Sequence, residues 1–432
     1  MKDVAIPRTT LAAAASFLVL TSATTLALTA CSDSVEIAID DSTPDSGGGG
    51  SVIPVTDASP EIDAGESPDA PDDASVDPDA GDAGTRICSD DNFCHTEVPK
   101  GQNLAGVWGD GTGIVWAVSR KGDLLRWDGS AWSVHTQLTN VTGTTFTIWG
   151  SGPTDIWVLT PGGLFHGTGP SSATLVFAPV VLPGDATIPI KSIGGTGPND
   201  VWAVGGVTNS SKYPWDWRGR ILHYDGDPAE GGSGWIVDES FASQPMAFSV
   251  AVASPVSGVW LAAQEYRNGT SPSLAARLYR RASGVEGWTD VGLPLDLEDK
   301  QVGWNVPGDL TAIAMSSASA VWVRGATANY KAGFWRGAST NGGNDFSWSF
   351  KRTNSWDRPI VALWGTAPND TWGVGPSGLV THWNGTKWQQ AAIRVTDIPV
   401  AKSFNAIWGK STDDFWVVGD EVALHRTPAG KP

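Results

Sequence analysis

The sequence predicts an all-β fold, a seven-bladed β-propeller that follows a signal peptide and a disordered acidic linker. A tryptophan recurs with a period of 41 to 62 residues, in versions of the phrase W-G-x-x-x-x-D-x-W-x-V-G, at Trp116, Trp157, Trp202, Trp260, Trp322, Trp372 and Trp416. Each repeat also supplies two predicted hairpins. Four strands repeated seven times indicate a closed ring of blades.

The first thirty residues have the pattern of an export signal. Two basic residues precede an apolar run from Leu11 to Leu28, which ends in Leu-Thr-Ala-Cys at Cys31. That tetrapeptide resembles the lipobox of bacterial lipoproteins, which implies lipidation of Cys31 and removal of residues 1–30. An uncleaved membrane helix is the alternative, because about 18 apolar residues can just span a bilayer. Ser32, by resemblance to Gram-negative sorting rules, implies the outer membrane as the location in the cell envelope.

Residues 31–87 are predicted to be a lipidated, disordered tether. From Asp33 to Asp82 there are fifteen acidic side chains and no Lys or Arg, among Gly, Ser, Pro and Ala. Such a segment buries too little apolar surface to fold, and its charges extend it. Asp77–Asp82 resembles a calcium loop only in composition, since the ligand spacing is missing. Without these fifteen acids the formal charge of −18 becomes −3, and the lack of a basic stripe argues against nucleic-acid binding.

Three cysteines fit an exported protein. With Cys31 assigned to lipid, Cys88 and Cys94 remain as a pair, for which a disulfide is the expected state. A zinc site would need more ligands than this pair and His95 provide. We therefore expect a disulfide, no metal and no cofactor.

The first hairpin of each repeat contains the phrase itself. A β-rich segment leads into a turn, and an alternating strand such as Asp200–Val204 follows. The register is constant, because eight positions before the recurring tryptophans stand Trp108, Trp149, Gly194, Val252, Ala314, Trp364 and Trp408. Two positions before four of them stand Asp155, Asp200, Asp370 and Asp414, which we expect to accept backbone N–H bonds across the turn.

The second hairpin has an Asp-Gly or Asn-Gly turn and a closing tryptophan, as in Leu124–Trp132 and Val380–Trp388. Together the hairpins predict a propeller over residues 88–432, with blade cores at about 103–135, 146–178, 190–238, 248–291, 310–350, 360–392 and 404–427. The last repeat lacks a fourth strand, and residues 92–98 are unused. We expect this segment to close the last blade, because closure removes exposed sheet edges.

The D-G-x-x-W turns resemble those of the broad propeller superfamily that includes Asp-box (BNR) repeats, kelch-like repeats and photosystem II assembly-factor-like proteins. They depart from the full Asp-box, because its preceding Ser/Thr-x is replaced. The phrase is also similar to a tandem repeat of myxobacterial surface lipoproteins. The resemblance covers residues 88–427 and implies a fold rather than an activity.

No catalytic motif stands out. His166, His223, His382 and His425 fall at one slot of the third strand, which other repeats fill with Arg126, Tyr279 and Trp335, so we expect a packing position. The inner strands carry Phe, Ile, Val, Ala, Leu and Trp, which counts against a sialidase-like hydrolase. A glycoside hydrolase or polysaccharide lyase using Asp216, Asp225 or Glu265 remains the alternative to a binding protein.

Four of the 23 tryptophans fit no slot of the repeat. They lie between second and third strands or between blades, two kinds of connection that emerge on one face of a propeller. The candidate ligand-binding residues are these tryptophans and their neighbours: Tyr213, Trp215, Trp217, Tyr266, Arg267, Trp304, Tyr330 and Trp356. Exposed aromatics on loops suit recognition of a sugar or a protein, whereas loops that fold over them would bury them. We expect a non-catalytic, surface-anchored module for a glycan or protein partner, with an envelope-complex assembly factor as a third possibility.

Overall fold

The computed structural model describes residues 87–139, 143–209, 216–226, 233–266, 274–353, 359–395, 400–428 and 430. These residues form seven antiparallel sheets of four strands each, so the predicted seven-bladed β-propeller is confirmed. Residues 1–86, with Cys31 and the tether, lie outside the described residues. Within the described part, no helix is long and apolar enough to cross a membrane.

The strands alternate with tight turns along the chain. The first three blades are β2 (Leu104–Gly109), β3 (Val115–Ser119), β4 (Asp123–Trp127) and β5 (Trp132–Gln137); β6 (Thr147–Gly152), β7 (Asp155–Thr160), β8 (Gly163–Thr168) and β9 (Val176–Pro179); and β10 (Ile190–Gly197), β11 (Asp200–Asn209), β12 (Asp216–Tyr224) and β13 (Trp235–Val237). A 3-10 turn, Glu239–Phe241, leads towards the fourth blade.

The remaining blades follow the same order. They are β14 (Met246–Ser254), β15 (Gly258–Tyr266), β16 (Leu274–Arg281) and β17 (Thr289–Asp290); β18 (Pro307–Ser317), β19 (Ala320–Thr327), β20 (Ala332–Ala338) and β21 (Ser347–Arg352); β22 (Ala362–Ala367), β23 (Asp370–Gly375), β24 (Leu379–Trp383) and β25 (Trp388–Gln390); and β26 (Phe404–Ser411), β27 (Asp414–Gly419) and β28 (Val422–Arg426) with β1 (Phe93–Thr96).

The seventh blade takes its outer strand from the other end of the propeller sequence. β1 pairs antiparallel with β28, with Phe93 opposite Arg426 and Thr96 opposite Ala423. Cys88 and Cys94 form a disulfide beside this strand, with their Cα atoms 3.9 Å apart. The expected disulfide is therefore present, and the blade has its full complement of four strands.

Aromatic contacts between neighbouring blades follow one rule around the ring. An aromatic residue at or beside the fourth strand of each blade contacts the second-strand tryptophan of the preceding blade, with ring centroids 5.3 to 6.0 Å apart. The pairs are Trp132–Trp416, Phe177–Trp116, Trp235–Trp157, Trp288–Trp202, Trp348–Trp260, Trp388–Trp322 and Phe93–Trp372. Phe93 on β1 thus makes for the last blade the contact that Phe177 makes in blade two and a tryptophan makes in the other five.

The W-G dipeptide of the repeat also joins neighbouring blades. The glycine leaves space for the first-strand tryptophan of the preceding blade, because a Cβ at Gly150 would lie 2.8 Å from the Trp108 ring. The same contact recurs between Trp149 and Gly195 and between Trp364 and Gly409. The tryptophans therefore interlock along blades six, seven, one and two. Blades three to five carry Gly194, Val252 and Ala314 at this position instead.

The third-strand slot differs from the sequence prediction in two blades. Trp260 pairs with Arg280 and Trp322 with Arg336, so Tyr279 and Trp335 point to the other side of the sheet, as adjacent strand residues must. In blades one, four and five a guanidinium lies 5.0 to 6.0 Å from the tryptophan ring, in the pairs Arg126–Trp116, Arg280–Trp260 and Arg336–Trp322. The histidines stack on the tryptophan in the other four blades, with centroids 3.7 to 4.3 Å apart.

The repeated aspartates also act differently from expectation. Each accepts a bond from a histidine Nε2 at 2.5 to 2.9 Å rather than from a backbone N–H, in the pairs His166–Asp155, His223–Asp200, His382–Asp370 and His425–Asp414. Thr196 and Thr366 hydroxyls donate to two of these carboxylates from across the hairpin turn. The aspartates therefore join the first three strands of a blade, which is a structural role.

Candidate functional site

One face of the propeller carries the connections from second to third strands and the connections between blades; we call it the loop face. All eight predicted site residues belong to these connections or to the strand ends beside them. Tyr213, Trp215, Arg267 and Trp356 lie outside the described residues. The structure therefore reports on Trp217, Tyr266, Trp304 and Tyr330.

Trp217 and Tyr266 contact each other. The two rings stack with centroids 6.2 Å apart, and Trp217 is only 7% exposed. Its ring lines a cleft of about 480 Å³ between the third and fourth blades, together with Arg218, Arg220 and Phe248. Trp217 thus packs the wall of a cleft rather than presenting a free ring.

The acids considered for hydrolysis are placed as follows. Asp216 binds Arg218 through both oxygens, at 2.7 and 3.0 Å, and this pairing lowers the pKa of Asp216. A general acid for glycoside hydrolysis needs the opposite shift. Glu265 accepts from the Arg277 guanidinium at 2.9 Å, and Asp225 follows β12 at the start of another turn. Asp216 begins β12, Asp225 follows the end of the same strand, and Glu265 lies near the end of β15. The two acids on strands thus each face an arginine rather than a second carboxylate, unlike the paired acids that hydrolysis uses.

Trp304 and Tyr330 belong to two connections that the structure joins into one unit. We call residues 291–306 and 327–331 the display loops. The Asn329 N–H donates to the Trp304 carbonyl at 3.0 Å, and the Ala328 N–H donates to the Val306 carbonyl at 2.9 Å. Both loops lead directly into the paired ends of β18 and β19, where Pro307 lies opposite Thr327. The two predicted aromatics therefore share one surface of the loop face.

The display loops expose an unusual amount of apolar surface. Leu297 is 90%, Val302 93%, Tyr330 86% and Trp304 40% exposed. With Leu295, they make five of the twelve large apolar side chains exposed in the described part of the chain. Scattered single apolar residues are ordinary on a protein surface, but a cluster of this kind marks an interaction site.

Buried polar contacts hold the longer display loop in place. Asp296 is 1% exposed and accepts from Arg352 Nε at 2.5 Å, so the loop is bound to the outer strand β21. The Asp296 N–H donates to the Asn305 carbonyl at 2.8 Å, closing the loop across its base. The Asn329 side chain donates to Asp299 and Gln301 at 2.9 and 3.0 Å. The apolar side chains are thus exposed from a loop with a defined conformation.

Tyr330 has a left-handed backbone, with φ of 58°. For residues other than glycine this conformation costs about 1 kcal/mol, and β-turns at this position usually use Gly or Asn. The turn is closed by the Tyr330 N–H to the Thr327 carbonyl at 2.8 Å. An exposed tyrosine thus occupies a position that glycine would fill with less strain, which favours a role for its side chain.

A second group of residues on this face was not predicted from the sequence. Lys191, Gln264, Asp309 and Arg324 lie at the loop-face ends of strands in blades three, four and five, and we call them the mouth cluster. Gln264 Nε2 donates to Asp309 Oδ1 at 3.0 Å, joining the fourth blade to the fifth. Asp309 stands only three residues after the longer display loop. The cluster and the display loops are therefore contiguous in the fold.

A β-bulge explains why the sequence did not reveal this cluster. Five inner strands carry a bulge at the same repeat position, occupied by Ala105, Lys191, Ser249, Thr311 and Asn405. A bulge breaks the strand alternation and redirects a side chain. In three consecutive blades, three to five, the residue at this bulge position is polar: Lys191, Ser249 and Thr311. The inner strands are therefore not uniformly apolar, contrary to the sequence prediction. The sequence signal for the bulge was its constant position, three residues before the slot that holds the first-strand tryptophan in other blades.

Burial perturbs every charged member of the mouth cluster. It lowers the pKa of Lys191 and of Arg324, and it raises the pKa of Asp309 despite the two neighbouring cations. Within the described residues, neither cationic side chain has a hydrogen bond or an ion pair within 4 Å. Among those residues no group of His, Cys, Asp and Glu has the arrangement of a metal site. The cluster therefore holds two half-buried cations that lack a close anionic partner.

Comparison with solved structures shows the same fold. YCF48 from Cyanidioschyzon merolae matches 78% of this chain over 99% of its own length, at 15% identity and a TM-score of 0.52. A structure of YCF48 bound to a D1 peptide matches 78% of this chain over 97% of its own, at 15% identity and a TM-score of 0.51. An extracellular domain of the two-component system BT4673 from B. thetaiotaomicron matches 77% of this chain and 39% of its own, at 13% identity and a TM-score of 0.50.

Comparisons of sequence give no match. No protein-family description fits the chain, and no curated protein is similar to it. These three structural similarities lie between 13% and 15% identity, so they establish the propeller fold and leave activity to the chemistry of the site.

Proposed function

We propose that this propeller is a recognition module that binds a protein partner on its loop face, through the display loops of the fifth blade. The observation that carries the proposal is the exposure of Leu297, Val302 and Tyr330 from loops whose own backbone is firmly bonded. Apolar side chains held in a fixed conformation bind with little loss of conformational entropy. These three side chains are 86% to 93% exposed, so they add little to the packing of the described part of the propeller.

A protein partner fits these residues better than a glycan. Leucine and valine gain little from a hydroxyl-covered sugar surface, whereas they are ordinary components of the apolar centre of a protein interface. A glycan remains the second candidate, because Trp304 and Tyr330 are aromatic residues of the kind that stack on sugar rings. YCF48 bound to a D1 peptide is a protein of similar fold that holds a peptide, which supports a protein partner by analogy of fold alone. The same analogy supports a role in the assembly of an envelope complex.

We further propose that the module is anchored to the outer membrane by a lipid on Cys31 and extended from it by the acidic tether. The support is the Leu-Thr-Ala-Cys sequence and the run of fifteen acids without a base. Labelled palmitate should appear in the wild-type protein and be absent from Cys31→Ser. Labelling of both proteins alike would contradict the anchor, independently of the recognition proposal.

The recognition proposal is tested by co-purification of the full chain from crosslinked cells. Leu297→Ser with Val302→Ser removes the most exposed apolar side chains of the display loops. Val256→Ser with Val285→Ser is the matched control, because these valines are 54% and 56% exposed on turns of the opposite face. We expect a crosslinked protein that is retained with the control and lost with the display-loop variant. Equal recovery of the crosslinked protein with both variants contradicts the proposal. If the display-loop variant instead loses only the ability to bind polysaccharide, the glycan is favoured.

A further inference from the structure

We propose that the mouth cluster binds a carboxylate of the partner, so that the recognised protein segment is acidic as well as apolar. This inference rests on the proposed function and adds a chemical identity to the ligand. Its site is the group formed by Lys191, Gln264, Asp309 and Arg324, next to the display loops.

The blades that carry this site differ from the other blades of the ring. Blades six, seven, one and two fill the first-strand position with interlocking tryptophans, whereas blades three to five have Gly194, Val252 and Ala314 there. The same three blades carry the polar bulge residues Lys191, Ser249 and Thr311. Small side chains and redirected polar side chains therefore coincide in blades three to five. The polar bulge residue of blade seven, Asn405, is instead used by the scaffold, because its amide donates to the Leu104 carbonyl and to Asp420. A structural repeat that only packed against itself would have no reason to change in three consecutive blades.

The arrangement of hydrogen bonds leaves the two cations available. Ser249 Oγ donates to the Leu310 carbonyl at 3.1 Å, and Thr311 Oγ1 donates to the Arg324 carbonyl at 3.4 Å, so both hydroxyls are used by the scaffold. Asp309 accepts from Gln264 on one oxygen. The Lys191 ammonium and the Arg324 guanidinium have no such partner within the described residues. Their N–H groups are free to meet a ligand.

Electrostatics identifies the missing group as an anion. Half-buried cations without a close counter-ion are unfavourable, because desolvation is not offset by pairing. A single carboxylate nearby, Asp309, serves two cations, and its own burial opposes its ionisation. A ligand carboxylate would pair with the Arg324 fork and the Lys191 point charge while it loses its own water. The cluster is therefore incomplete electrostatically and would be completed by one negative group.

The position of the cluster decides which kind of acid it meets. Asp309 pairs with Ala326 on the strands that continue directly from the display loops. A ligand spanning both places offers a carboxylate at the mouth and apolar side chains beside Leu297 and Val302. An acidic peptide segment has both features, and a uronate polysaccharide has only the first. The observations therefore favour the peptide.

Fluorescence anisotropy with the full chain and a labelled peptide of alternating Glu and Leu tests this inference. Lys191→Gln with Arg324→Gln should weaken binding at least ten-fold and leave the melting temperature unchanged or higher, because two unpaired half-buried charges are removed. Lys351→Gln with Lys387→Gln is the control. Lys351 lies on the outer strand of blade five, and Lys387 lies in a turn on the opposite face, so this variant should leave the affinity for the peptide unchanged. Asp309→Asn should tighten binding several-fold, since it removes the competing carboxylate.

The outcomes separate this inference from the proposed function. Equal peptide affinity for the Lys191→Gln, Arg324→Gln protein and the wild type overturns the carboxylate site. If that protein also still captures the crosslinked partner, the display-loop function stands without the carboxylate site. Binding of oligogalacturonate in place of the Glu-Leu peptide overturns the peptide assignment in favour of an acidic glycan. Weaker binding after Asp309→Asn also contradicts the inference, because Asp309 would then be contacting the ligand as an acceptor.

Discussion

His223 Nε2 lies 2.8 Å from Asp200 Oδ1, and the same imidazole is stacked on Trp202 with centroids 4.1 Å apart. The histidine and the aspartate occur together in the blades of the ring. Every blade with histidine over the tryptophan has aspartate two positions before that tryptophan. The three blades with arginine have Ile114, Gly258 and Ala320 there.

The side chains explain this exclusive choice. An imidazole has one polar tip left after stacking, and a carboxylate fixes its orientation. An arginine reaches further: Arg126 donates to the Ser172 hydroxyl at 3.4 Å, and the other two arginines donate to backbone carbonyls. Arg280 Nε donates to the Ser257 carbonyl at 2.8 Å, and Arg336 donates to the Pro368 carbonyl at 3.0 Å. The Asp–His pair and the arginine are therefore two solutions to one packing requirement, and the histidines are scaffold.

The Asp200–His223 pair should make stability depend on pH in the acid range. The His223 hydrogen bond is the main cause that lowers the pKa of Asp200 from 3.8 to about 2. A depressed carboxylate pKa contributes stability above 3.8, and this contribution is lost as the pH falls towards 2. The full shift corresponds to about 2.4 kcal/mol, and screening of this partly exposed carboxylate reduces the expected effect to about 1 kcal/mol. Urea unfolding of Asp200→Asn and wild type should therefore converge between pH 4 and 2; curves that stay parallel would exclude this linkage.

The interlocking of W-G dipeptides can be tested with alanine. Gly150→Ala places a Cβ 2.8 Å from the Trp108 ring and 2.9 Å from the Asp155 carbonyl oxygen. Such overpacking should lower the free energy of unfolding by about 1 to 3 kcal/mol. Gly152→Ala on the same strand is the control, since its Cβ would meet nothing within 4 Å. Equal stabilities of the two variants would show that the contact with Trp108 is unimportant.

Tyr330→Gly should separate backbone strain from the function of the side chain. Glycine accepts a φ of 58° without steric cost, so the free energy of unfolding should stay constant or rise by up to about 1 kcal/mol. Capture of the partner should fall, because the ring is lost from the display loops. Tyr330→Ala keeps the strain and serves as the comparison. A clear loss of stability in Tyr330→Gly would mean that the ring packs rather than displays.

Phe93→Ala should weaken the closure of the ring. The Phe93 side chain is fully buried and contacts Trp372 and Phe415 edge-on, with centroids 5.9 and 5.6 Å apart. Its truncation should cost about 3 to 5 kcal/mol in urea unfolding, as for other buried aromatics. Val176→Ala is the control on the exposed outer strand of another blade. A change as small as that of Val176→Ala would mean that β1 adds little to the last blade.

The sequence was sufficient for the fold because the repeat marks each strand directly. It was insufficient where register decides which residue faces which. Arg280 and Arg336 were missed by one position, because the connection between the second and third strands differs in length from blade to blade and no fixed offset from the tryptophan marks the residue that faces it. Lys191 was overlooked because a bulge redirects its side chain, and the alternation of a regular strand does not predict a bulge. Only the constant position of polar residues three places before the first-strand slot could have indicated it.

The candidate site, too, was predicted from the sequence only in part. Trp304 stood out because it fits no repeat slot, and Tyr330 was predicted as its neighbour on a similar loop; the two lie on one bonded pair of loops. Trp217 stood out for the same reason, yet it packs beneath Tyr266. An irregular position in a repeat thus locates a loop, but exposure depends on what the loop folds against.

The strand that completes the last blade has a consequence for how the protein is made. Phe93 is synthesised more than three hundred residues before its partner Arg426. During translation β1 has no sheet to join until β26, β27 and β28 have been made. The Cys88–Cys94 bridge involves only its own short segment and can form earlier. The last blade is therefore completed only after its three C-terminal strands exist, and the pairing that completes it is the most non-local strand contact of the fold, a kind of contact that forms slowly.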